Sequence, residues 1–166
     1  MKKRYLPLNA AVIFICGLVL QISYEVSDRA PWSILVSSIN DSPWELTKPF
    51  LLVYIMWSFI EMSYMRPKLL KYVCSRILSM HMMLMLSCTS LFMLRDIVYA
   101  PWIIFVCIFI CIFLSELLEH ILYNSSLRLE LFFVPVIISF CVLFGCVLFC
   151  SFYPPDFVFF KVNSSL

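Results

Sequence analysis

Apolar residues in this chain come in long unbroken runs separated by short polar punctuation, not in the alternation of a strand or the narrow stripe of a soluble helix. Five runs stand out, over about residues 6–24, 49–65, 77–94, 97–123 and 131–153. A helix crossing a hydrocarbon core of about 30 Å needs roughly 20 mostly apolar residues. The pattern therefore predicts an all-α fold: one integral membrane bundle of five transmembrane helices over residues 1–166. Ser42-Pro43-Trp44-Glu45 has the form of a capping box, with Ser42 as N-cap, Pro43 at the first helical position and Glu45 at the third. The second helix should thus begin before residue 49, and Pro49, falling inside it, should bend it. The long connection, 25–41, carries Trp32, Leu35 and Ile39 at helical spacing. It predicts a short amphipathic helix over about 31–39, lying in the interface between the first and second spans.

Composition sharpens this picture. Of 166 residues, 63% are hydrophobic and 13% charged, about half the charge of an ordinary soluble domain. A chain of this length cannot bury so much apolar surface in water, which leaves the lipid bilayer as solvent. The same figures exclude a disordered tail, a collagen, a secreted disulfide scaffold and a nucleic-acid-binding domain, and the net charge of +2 points to no nucleic-acid partner. Seven of the eight cysteines lie inside apolar runs, where they pack as small hydrophobes. Cys107/Cys111 and Cys146/Cys150 are four apart, on one helix face, unlike a redox motif.

Basic residues set the expected orientation. With the N-terminus inside, the cytoplasmic segments hold eight: Lys2, Lys3, Arg4, Arg66, Lys68, Lys71, Arg76 and Arg128. The outer segments hold four, Arg29, Lys48, Arg95 and Lys161, together with most of the acidic residues, among them Asp96 and Asp156. Tyr24, Trp32, Trp44, Tyr99, Trp102 and Tyr153 mark the outer interface, and Tyr64, Tyr72 and Tyr123 the inner one. Met1-Lys2-Lys3-Arg4 before the first run imitates a signal peptide. Gln21-Ile22-Ser23-Tyr24-Glu25 offers no small-residue cleavage site, so an uncleaved anchor is expected. The expectation is a cell-membrane protein, N-terminus cytoplasmic and C-terminus outside.

Ionisable groups inside a bilayer are expensive, so each is a candidate site. They are Glu61, His81, Glu116, Glu119 and His120. A rise of about 1.5 Å per residue puts Glu61, His81 and Glu116, on three helices, in the cytoplasmic third of the membrane, with His81 as the natural partner of Glu61. Glu116, Glu119 and His120 share one side of a helix and admit three readings. Glu119 and His120 sit at the headgroups with Glu116 snorkelling toward them; or the group is a polar lock between helices; or it is a metal or proton site. No HExxH or HxxEH pattern is present, and no metal ligand set or cofactor is assigned. Outside, Asn40, Asp41, Ser42, Trp44, Glu45 and Lys48, with Trp32 nearby, form a dense polar motif. It reads as capping and interface anchoring or as a surface for a protein or lipid partner, and Lys48 is placed to rest on the Trp44 indole. Arg95-Asp96 reads as a local ion pair of little weight. Three glycosylation sequons begin at Asn40, Asn124 and Asn163 and matter only in a secretory pathway. With only Gly17 and Gly145, phosphate loops, dinucleotide fingerprints and the GxxxG pairing motif are excluded.

Ala30-Pro31-Trp32, then Ser38-Ile39-Asn40-Asp41-Ser42-Pro43-Trp44-Glu45-Leu46-Thr47-Lys48-Pro49-Phe50, ending at Glu61, resembles the signature of a bacterial family. Its members are small multi-pass membrane proteins that carry a domain-of-unknown-function label, and its pattern is Asn-acidic-Ser-x-Trp-Glu-His-x-Lys. This chain has Leu46 where His is usual. The tail Tyr153-Pro154-Pro155-Asp156-Phe157 also resembles the family's end. The resemblance implies a helical membrane protein and brings no activity. The leading functional expectation is a non-catalytic protein that binds or supports a partner or lipid through its outer 31–48 element. A proton-coupled transporter using Glu61, His81 and Glu116 is the alternative, and a membrane-embedded metal-dependent hydrolase the second.

Overall fold

The computed structural model describes residues 6–28, 30, 32–39, 42–65, 67–94 and 101–153, and every regular element among them is helical. The elements are α1 (Leu6–Gln21), α2 (Ser23–Val26), α3 (Ser33–Val36), α4 (Pro43–Met65), α5 (Leu69–Leu94) and α6 (Pro101–Asn124), then a 3₁₀ turn (Leu129–Phe132) running into α7 (Phe133–Phe152). Expectations that fall on Lys2, Lys3, Arg4, Arg29, Pro31, Asn40, Asp41, Arg66, Arg95, Asp96, Tyr99, residues 154–157 and Lys161 lie outside the described residues.

Three helical stretches, Leu69–Leu94, Trp102–Asn124 and Leu129–Phe152, are long and apolar enough to cross a membrane, and α1 is a shorter apolar helix of 16 residues. Helices α1, α4, α5 and α6 pack around a common centre, with α7 laid against α5. Polarity is inside-out. Glu61, Arg76, Glu116 and Glu119 are buried, whereas Phe59, Met85, Ile110, Ile138 and Phe149 are exposed. An apolar exterior of that extent is what a membrane protein presents to lipid.

The second helix starts at Pro43, as the capping residues predict, and continues through Pro49. The Ser42 hydroxyl accepts the Glu45 N–H at 3.3 Å, the N-cap bond. The other half of the box is diverted: the Glu45 carboxylate accepts the N–H of Ile39 at 3.1 Å. The predicted interfacial helix over 31–39 shrinks to the single turn α3. Ser37 is extended, with φ −107° and ψ 171°, because its hydroxyl donates to Gln21 O at 2.5 Å and accepts the Tyr24 N–H at 3.3 Å. These ties bind the segment to the end of α1, and one turn is too short to lie in an interface as a helix. Upstream, Asp28 takes a left-handed φ of 54°, a conformation Asp tolerates better than most residues.

Gly17 of α1 packs directly against the Phe50 side chain of α4. A Cβ there would overlap Cδ1 of Phe50, which is fully buried and stacked on Phe14 with ring centroids 5.7 Å apart. Gly17→Ala should lower stability by about 1–3 kcal/mol through overpacking. Gly145→Ala, with nothing within 4 Å of the added carbon, should be neutral or mildly stabilising. Thermal unfolding of both variants in detergent separates close packing from loss of flexibility.

Candidate functional site

The polar centre of the bundle is built on four helices. Asn9, in the second turn of α1, reaches two carboxylates at once: its Nδ2 donates to Glu61 Oε1 at 3.1 Å and to Glu116 Oε2 at 3.4 Å. Arg76 of α5 supplies the charge. Its Nη1 pairs with Glu116 Oε1 and lies 3.7 Å from Glu61 Oε2, its Nε donates to Ser58 Oγ at 2.7 Å, and its guanidinium carbon sits 3.9 Å over the Tyr54 ring. Tyr72 donates to Glu61 Oε2 at 3.0 Å or to Ser58 O at 3.1 Å. One turn along α6, Glu119 accepts from Ser75 Oγ at 3.3 Å.

Glu61, Arg76, Glu116 and Glu119 are each no more than 4% exposed. Charges so buried persist only when paired and hydrogen-bonded. Here each of the four helices contributes one part of the pairing: the amide from α1, carboxylates from α4 and α6, the guanidinium from α5. Removal of any one part leaves a buried charge or polar group short of a partner, so the assembly can act as a lock on the mutual rotation of the helices.

Two sequence-based placements are corrected. Arg76, counted among the cytoplasmic loop residues, is buried within α5, because that helix begins at Leu69 rather than near Ile77. Glu119, placed by one reading at the headgroups, is fully buried against α5, and Glu116 points into the bundle and does not snorkel outward. The histidines do not join the group. His81 Nδ1 faces the carbonyl of Ile77, four residues back, at 2.8 Å. His120 contacts Asn124 on its own helix, with ring nitrogen to amide distances of 3.2 and 3.3 Å. Glu61 sits in a packed helix interface, and no group of three or more His, Cys, Asp or Glu that could hold a metal occurs among the described residues. Asn9, Arg76, Tyr72, Tyr54, Ser58 and Ser75 were missed from the sequence. An asparagine within the first apolar run was the available signal for Asn9.

The motif around Ser42–Lys48 forms a second buried knot. Lys48 is 1% exposed, and its Nζ donates to Ile34 O and to Glu45 Oε2, each at 2.8 Å. With the Glu45–Ile39 bond, this pins α3 and the chain after it onto the first turns of α4. Trp44 is buried, at 9% exposure, so it does not wall an outer groove with Trp32, which is 57% exposed. Among the described residues of this segment, Trp32 and Ile39 are the exposed large apolar side chains.

An all-helical bundle with a charged centre buried inside and many large apolar side chains outside defines the class, one consistent with a membrane protein. No protein-family model matches the chain, and comparisons with curated proteins and with solved structures give no match.

Proposed function

We propose that this is a non-catalytic cell-membrane protein of five spans that binds or supports a protein or lipid partner through its outer segment, 32–48, and that it belongs to the bacterial family its motif resembles. The observation that carries the reading is the spending of polar atoms inside that segment. Ser37, Ser42, Glu45 and Lys48 all bond to backbone or to each other, leaving Trp32 and Ile39 as outward-facing apolar groups on a fixed frame. A surface already held in one shape loses little entropy on binding. In five spans, α1 and α4 join the three apolar helices. Helix α4, with 23 residues, is about 35 Å long, enough to cross, and its charges are buried among other helices. With Arg76 and Lys48 set aside as buried, seven basic residues remain inside against three outside, so the proposed orientation keeps its basis.

A photoreactive residue at position 39 in intact cells should give a discrete adduct, and Trp32→Ala should reduce it by about thirty-fold, the effect of truncating a central aromatic anchor. Absence of an adduct, or indifference to Trp32→Ala at unchanged protein level, would reject the partner site. Topology is checked separately. A C-terminal reporter active only outside the cell should work while an N-terminal one does not; both working on one side would reject five spans.

A second reading, a small proton-coupled transporter, draws on one observation: two carboxylates from different helices share Asn9 and Arg76 deep in the bundle. It ranks second because Glu61 is only 4% exposed, held among its polar partners. Proton uptake by vesicles containing the protein, abolished by Glu116→Gln, would raise it above the first.

A further inference from the structure

Helix α5 begins and α6 ends at one end of the bundle, and the chain there is basic. The backbone N–H of Lys68 donates to the Tyr123 hydroxyl at 3.2 Å, and Lys71 Nζ donates to Ser125 O, so the start of α5 is tied to the end of α6. Arg128 follows Ser125 by three residues, which keeps the two Cα atoms within about 11 Å of each other. Lys68 and Arg128 are exposed and Lys71 is half-buried. Among the described residues, none of the three pairs with a carboxylate. Glu130, two residues beyond Arg128, is the exposed acid described at this end, so three cations stand against one surface carboxylate. The placement also runs against the helix. Lys68 directly precedes α5 and Lys71 is its third residue, where the positive end of the helix dipole favours an acid, and the first turn holds none. Beside these cations stand Leu69, Leu70, Leu127 and Leu131, which are 46–76% exposed.

We propose that this end of the bundle binds the phosphate of an anionic phospholipid, with Lys68 and Arg128 as the charged ligands and Lys71 supplying the N–H donors that Ser125 leaves over. The proposal rests on the membrane placement of α5, α6 and α7 and not on the segment 32–48. Charge complementarity selects an anion, since the two lysines and the dipole repel one another until a negative group sits among them. The leucines select a lipid. A phosphate ion from solution would reach the cations but leave four leucines in water. A phospholipid brings its phosphate to the cations and its acyl chains to the leucines.

The test is native mass spectrometry of the full chain released from detergent, after incubation with phosphatidylglycerol or with phosphatidylcholine of the same acyl chains. Phosphatidylglycerol should be retained about thirty-fold over phosphatidylcholine, the effect of two cations at a membrane surface. Lys68→Gln/Arg128→Gln should abolish that preference, Lys68→Arg/Arg128→Lys should keep it, and Glu130→Gln should raise it. Both cations are exposed, so the thermal midpoint of the double glutamine variant in lipid-free detergent should match the parent. The wild-type comparison of the two lipids needs no variant. Inorganic phosphate in millimolar excess should not displace the lipid, and Trp32→Ala should leave the preference unchanged, which separates this site from the partner surface at 32–48. Equal retention of the two lipids, a preference that survives Lys68→Gln/Arg128→Gln, or displacement by inorganic phosphate would each overturn the proposal. A chain that stays dissolved without detergent would instead overturn the membrane placement itself.

Discussion

Replacing Arg76 with methionine should destabilise the bundle by about 3–5 kcal/mol, the cost of stranding a buried charge whose partner has gone. Methionine fills much of the same volume, so little of the loss is a cavity effect. What remains is two carboxylates, Glu61 and Glu116, held near each other by the Asn9 amide with no cation between them. The expected readout is a large drop in the thermal midpoint in detergent. The triple variant Arg76→Met/Glu61→Gln/Glu116→Gln should recover much of it, since neutral amides can bond to Asn9 and to each other. Arg76→Lys should fall between, because an ammonium cannot serve Ser58 and Glu116 as the guanidinium fork does. If the single variant is as stable as the parent, the polar centre is not a lock.

That centre was half legible in the sequence, and the legible half was depth. Counting rise along each helix puts Glu61, His81 and Glu116 in the same third of the membrane, which needs only the helix ends and about 1.5 Å per residue. Rotation about the helix axis was not legible. A soluble helix reveals its inner face because its polar side is turned to water, but in α4 and α5 the polar side chains of the centre are the buried ones, so that rule turns these helices the wrong way. Hence depth alone points to His81 as the partner of Glu61. It lies five residues after Arg76, about 140° round the helix from the residue that takes that place.

Arg76 itself was obscured by its company. It follows Lys68 and Lys71 in a stretch that reads as a basic loop, although it forms the first two turns of α5. With the helix start moved back to Leu69, Tyr72, Ser75, Arg76 and Ser79 fall three or four apart and form one buried polar face. The capping signal at Ser42 fared better because it is local: a hydroxyl three residues before a backbone N–H depends on no other helix. Where the Glu45 carboxylate went depended on the fold of residues 33–39, and that is tertiary information.

The Glu45–Lys48 knot carries the second large effect. Lys48→Met should leave the Glu45 carboxylate buried with only the Ile39 N–H as a described partner, and Ile34 O without its donor. The loss should again be about 3–5 kcal/mol for the site, but spent differently. The residues released, 33–39, form one short turn and an extended strand of chain, so they can detach while α4 keeps its own hydrogen bonds. Amide exchange across 33–39 should therefore accelerate by at least a hundred-fold, while exchange in the middle of α5 changes little. Lys48→Met/Glu45→Gln should restore part of the protection, since it removes the stranded charge but not the missing tie to Ile34. Glu61 follows Lys48 by 13 residues, about 20 Å along α4, so the two knots share no partner and their effects should add. Strong non-additivity of Lys48→Met with Arg76→Met would mean that the outer segment and the buried centre form one cooperative unit, and that a partner bound outside is felt at the polar centre.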